Sequence, residues 1–108
     1  MITKESGEID WKKTAFEIHN RVRALIVWPT AHTFYRGKML RILKSKVLEG
    51  KKGLPGTMVE IVKNVGFVVA TGEEDLLVLE VQPAGGKPMQ AYDFVIGHKL
   101  HVNSCFPN

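Results

Sequence analysis

An α+β domain, mainly β, with one helix leading into a small antiparallel sheet, is what this sequence predicts. Three observations predict it: a helical start signal ahead of an apolar stripe, a proline that ends that stripe, and then short β-branched and aromatic runs punctuated by glycine. At 108 residues, 44% of them hydrophobic, the chain has the size of a single domain, residues 1–108, with one core.

Thr14 followed by Glu17 has the T-x-x-E spacing of a capping box, in which each side chain satisfies the other residue's free backbone N–H. Ala15, Ile18, Val22 and Leu25 then fall on one helical face. Pro29 disfavours helical geometry at Trp28, so the helix stops shortly before it.

Strands are expected near His32 to Tyr35, Lys38 to Val47, Thr57 to Lys63, Gly66 to Ala70 and Leu76 to Gln82. In the second, Leu40 and Ile42 share one parity while Leu43 and Val47 take the other, so a flat strand cannot bury them all. A β-bulge or coil near Leu43 resolves the conflict. Arg36-Gly37, Asn64 to Gly66 and Gly72 to Asp75 are turns short enough to join antiparallel neighbours, and Ala91 to Ile96 is expected as a brief closing helix. This succession suits a small, partly open barrel of the oligonucleotide-binding (OB-fold) kind, preceded by one helix; a β-sandwich shares the strand count.

Charge narrows the partners. Lys and Arg outnumber Asp and Glu by 15 to 11, and the excess is concentrated: Arg36, Lys38, Arg41, Lys44, Lys46, Lys51 and Lys52 stand against a lone Glu49. An anionic polymer is the natural ligand for such a segment. Arg36, Lys38, Lys44 and Lys46 would share one surface unless the bulge divides them. Phe34 and Tyr35 lie beside this segment and are the aromatics open to base stacking, whereas Trp11, Trp28, Phe67 and Phe94 read as core or domain-contact anchors. The longest apolar stretch, Ala24 to Trp28, is far too short to cross a bilayer, and a lone Cys105 fits a reducing, cytoplasmic setting.

Other chemistries find little support. His98, His101 and Cys105 form H-x2-H-x3-C, but neither His19 nor His32 completes a tetrahedral set, so no metal is expected and the tail reads as solvated. The loop from Gly50 to Gly56 is not a P-loop, and its Gly50-Lys51-Lys52-Gly53 matches the clamp of KH domains without the flanking helices. Glu73, Glu74 and Asp75 read as a solvated acidic turn, and no paired carboxylates suggest acid–base work. A non-catalytic basic binding module is what the residues support.

Read in order, Ile9-Asp10-Trp11, Val22-Arg23-Ala24-Leu25 with Trp28-Pro29, Gly37-Lys38, Pro55-Gly56-Thr57, Ala70-Thr71-Gly72 and Val81-Gln82-Pro83-Ala84-Gly85 resemble the C-terminal domain of methionyl-tRNA formyltransferases. Asp93-Phe94 and Gly97 continue the pattern, and Lys87 and Met89 extend the glutamine-proline-alanine-glycine motif. Ile26-Val27 stands where the family often has asparagine-proline, and Gly86 where a lysine is frequent.

The resemblance implies an OB-like module that docks on initiator tRNA. Formyl transfer from 10-formyltetrahydrofolate would then belong to an N-terminal catalytic domain, with no cofactor, metal or catalytic residue in this chain. Lys87 joins the seven basic residues as an expected phosphate contact. Cousins of the domain in other folate-dependent formyltransferases and hydrolases make a purely structural module, packed through Trp11, Trp28 and the tail, the competing expectation.

Overall fold

The computed structural model describes residues 8–24, 31–50 and 53–106. Leu25, Ile26-Val27, Trp28-Pro29, Lys51 and Lys52 lie outside the described residues.

Helix α1 spans Ala15–Ala24 and begins where the capping box places it. The Glu17 N–H donates to the Thr14 hydroxyl oxygen at 3.1 Å, and the Thr14 N–H donates to the Glu17 carboxylate at 3.3 Å. Ala15, Ile18 and Val22 are buried, as their spacing requires. Thr14→Ala removes this cap and is expected to cost about 1 kcal/mol of stability, read as a lowered midpoint in urea; an unchanged midpoint would show that packing alone sets the helix start.

Six strands follow: β1 (His32–Tyr35), β2 (Lys38–Leu48), β3 (Met58–Val62), β4 (Gly66–Ala70), β5 (Asp75–Pro83) and β6 (Met89–Gln90), before α2 (Ala91–His98). They form one antiparallel sheet in the order β1-β2-β5-β4-β3, with β6 pairing β5. The β1–β2 turn is the two-residue kind in which both central residues take positive φ, here Arg36 at 52° and Gly37 at 77°.

The bulge falls where parity demanded it. Ile42 pairs Val81 and Lys44 pairs Glu80, which leaves Leu43 extra on β2; Ser45 then pairs Val78, which leaves Leu79 extra on β5. The two insertions offset each other. Ile42 and Ser45 are thereby both buried, as are Val81 and Val78, although each pair is three residues apart.

The α+β, mainly antiparallel architecture agrees with expectation, but the sheet is not closed into a barrel. The free edges are occupied by the ends of the chain instead. On β1 the Ile9 N–H donates to the His32 carbonyl at 2.7 Å. On the β3 side Met58 exchanges backbone hydrogen bonds with Asn103 and Ser104, at 2.8 and 2.7 Å, and the Phe106 N–H donates to the Gly56 carbonyl at 2.7 Å. Segments paired in this way satisfy edge groups that barrel closure would otherwise have to satisfy.

Phe106 completes the interior. Its ring stacks on Phe67 at 5.8 Å and touches Tyr35 at 5.8 Å and Trp11 at 6.3 Å, so it joins the two halves of the sheet to the N-terminal segment. The tail is therefore solvated only as far as Cys105; Phe106 is 4% exposed. Trp11 is a core residue whose indole N–H donates to the Thr33 hydroxyl at 3.2 Å. Tyr35 is likewise buried against Phe94 and Phe106, so of the two aromatics open to stacking only Phe34 keeps part of its surface.

Candidate nucleic-acid interface

Strand alternation and the Leu43 bulge decide where the basic side chains go. Arg41 precedes the bulge on the parity opposite to Leu40 and Ile42, and the extra residue returns Lys44 and Lys46 to that same outward face. Lys44 and Lys46 are exposed and Arg41 half-buried. Lys38 instead has the parity of Leu40 and pairs across the turn with buried Tyr35. The bulge thus divides the segment: Arg41, Lys44 and Lys46 share the outer face, while Arg36 and Lys38 stand at the end of the hairpin.

Lys87 belongs with the outer set through the chain that carries it. Gln82 pairs with Arg41, and its side-chain amide donates to the Gly86 carbonyl at 3.1 Å, which holds the loop leading to exposed Lys87. The Ala84 N–H donates to the Met39 carbonyl at 2.9 Å, tying the same loop to β2. The Gln82-Pro83-Ala84-Gly85 motif therefore braces a surface rather than presenting chemistry of its own. Lys44 stands 4.0 Å from Glu80, an exposed pair of little energetic weight that a phosphate can displace.

Arg36 and Lys38 line a groove of about 240 Å³ at the mouth of the core, with Tyr35, Ala84, Phe94 and His98 among its walls. The Arg36 guanidinium lies 5.4 Å from the Tyr35 ring centroid, and the His98 ring lies 4.2 Å from that of Phe94.

A second set of polar groups, which sequence reasoning did not single out, gathers where α1 crosses the bulges. His19 Nδ1 is 2.8 Å from the Ser45 hydroxyl, and Arg23, Lys44, Leu43 and Leu79 line the same hollow. The signal was hidden because the pairing joins residues 26 positions apart. Burial, and secondarily the Arg23 charge, hold the His19 pKa below the ordinary 6.5. A histidine with a lowered folded pKa is harder to protonate in the fold than in the unfolded chain, so its contribution is lost as pH falls below 6.5 toward the folded value. His19→Gln is therefore expected to flatten the acid side of the stability–pH curve; urea melts of both proteins at neutral and mildly acidic pH test this, and parallel curves would refute it.

The remaining sequence candidates are dispersed. Asp75 is buried at the start of β5, which corrects the reading of Glu73 to Asp75 as wholly solvated; the Thr71 hydroxyl meanwhile donates to the Glu73 and Glu74 carbonyls. His98, His101 and Cys105 are exposed, and among the described residues no three His, Cys, Asp or Glu side chains group as metal ligands. No helix among the described residues is long and apolar enough to cross a membrane.

The family model of the formyl transferase C-terminal domain matches residues 1–99. The methionyl-tRNA formyltransferase of Halalkalibacterium halodurans is 47% identical over 107 residues, covering 95% of this chain and 33% of its own length. Those of Clostridium novyi and Alkaliphilus oremlandii are 43% and 40% identical, over 96% and 93% of this chain and 34% and 32% of their own lengths. The chain thus spans about a third of the length of these relatives. A crystal structure of HypX from Aquifex aeolicus superposes with a TM-score of 0.78 over 96% of this chain and 19% of that one, at 15% identity, a likeness of fold alone.

Proposed function

The chain belongs to the formyl transferase C-terminal domain family, and on that premise we propose that it is the non-catalytic, tRNA-binding C-terminal module of a methionyl-tRNA formyltransferase. In this reading an N-terminal catalytic domain transfers the formyl group from 10-formyltetrahydrofolate to initiator methionyl-tRNA during translation initiation in the cytoplasm. The observation that carries the binding role is the outward placement of Arg41, Lys44 and Lys46 on one face of β2, with the Lys87 loop braced beside it by Gln82.

These cations meet phosphates, which fix the orientation of an RNA without reading its sequence. Arg36 and Lys38 extend the contact at the hairpin end, and Lys51 and Lys52 follow β2 in sequence. Holding the acceptor in one orientation makes formyl transfer at a neighbouring active site effectively intramolecular, which is the advantage the module supplies.

A packing role without RNA is favoured by one feature, the exposed Phe16 on α1 and Ile96 on α2, which suit a neighbouring protein surface. Affinity for tRNA across a salt series separates the two readings, because a packing module shows none. The non-catalytic half is tested by assaying the purified chain with 10-formyltetrahydrofolate and charged initiator tRNA. No turnover is expected; turnover abolished by a point substitution in this chain would refute it.

A further inference from the structure

We propose that the groove at the mouth of the core, between the β1–β2 turn and the end of α2, receives an unpaired nucleotide, its base against the planes of Arg36 and His98 and its phosphate toward Lys38. The source of that nucleotide is the RNA bound along β2, so this part rests on the tRNA-binding reading.

Three features point to a nucleotide. The groove brings two planar, nitrogen-rich groups together from separate elements, each already laid on an aromatic ring: Arg36 on Tyr35 and His98 on Phe94. Unpaired bases are recognised by stacking on such rings and guanidinium planes, whereas a paired helix offers only its backbone. His98 Nδ1 lies 3.2 Å from the Phe94 carbonyl, which fixes the ring's orientation.

Size agrees as well. At about 240 Å³ the groove falls below the roughly 300–1,000 Å³ of pockets for drug-sized ligands, which leaves room for about one base.

The third feature is strain. Arg36 holds φ at 52° in a turn position that asparagine, aspartate or glycine occupies more readily. An arginine retained in a left-handed conformation is best explained by a use for its side chain. A bare anion site would need neither the two planes nor the aromatic floor.

The test uses the full 108-residue chain and backbone-amide NMR titrations with adenosine monophosphate, adenosine and ribose 5-phosphate. Adenosine monophosphate is expected to shift Arg36, Ala84 and His98, more strongly than either fragment does. Arg36→Lys, which keeps the charge and loses the plane, and His98→Ala, at an exposed position, are each expected to weaken it about five- to tenfold. The amide spectra of both variants report whether they stay folded.

With tRNA, Arg36→Lys should weaken binding by a similar factor at unchanged salt slope and leave a fully paired RNA duplex unaffected. Ribose 5-phosphate binding as well as the whole nucleotide, or equal losses for duplex and tRNA, would overturn the proposal. Salt-dependent tRNA binding with no nucleotide shifts in the groove sinks the groove alone. Nucleotide shifts without tRNA affinity support the groove and sink the tRNA reading.

Discussion

Reversing two charges, Lys44→Glu with Lys46→Glu, is expected to remove most of the salt-sensitive affinity for tRNA. Arg41, Lys44, Lys46 and Lys87 make an outward set that neutralises about four phosphates. At roughly −0.7 per contact, the single-strand coefficient, wild-type affinity falls about fiftyfold between about 50 and 200 mM salt. With two contacts gone the same interval costs only about sevenfold. Lys12→Glu with Lys13→Glu alters the net charge equally at exposed positions ahead of α1, and should leave the slope near the wild-type value. Equal losses in both double variants would mean that attraction is diffuse over the whole domain and that no patch on β2 exists.

Phe106→Ala is expected to be the most damaging single truncation near the end of the chain. The ring is buried among Phe67, Tyr35 and Trp11, and aromatic-to-alanine changes in such settings cost about 3–5 kcal/mol. A domain of this size has a total of only about 5–15 kcal/mol, so the midpoint of thermal unfolding should fall by more than about 10 °C. Cys105→Ser, one residue earlier and exposed, should change stability by no more than about 0.5 kcal/mol. If both substitutions proved equally mild, the ring would be a lid on the core and not part of it.

Local signals were legible and long-range ones were not. The capping box, the β1–β2 turn and β4 are set by neighbours in sequence, and all three lie where spacing and turn chemistry placed them. The Leu43 bulge was legible for a different reason: Leu40, Ile42, Leu43 and Val47 cannot share a face without it. Its counterpart at Leu79 was hidden, because β5 reads as a plain apolar strand until its register with β2 is known. The unclosed sheet was hidden for the same reason, since pairing of Ile9 with β1 and of Asn103 and Ser104 with Met58 leaves no periodic trace. For the interface, charge density marked the segment, but only the register shows which side chains share a face.

The Leu43 and Leu79 insertions behave as a single inherited character. Losing either alone would put the following half of its strand out of phase, aiming Ser45 outward and Lys44 and Lys46 at the core, or Val78 and Leu76 away from it. Losing both would restore the pairing but reverse those halves together. Sequence drift at this point is therefore constrained in length and not only in residue type: side chains at the two positions can vary, whereas the spacing from Ile42 to Ser45 and from Val78 to Val81 cannot change without exchanging the oily and charged sides of the molecule.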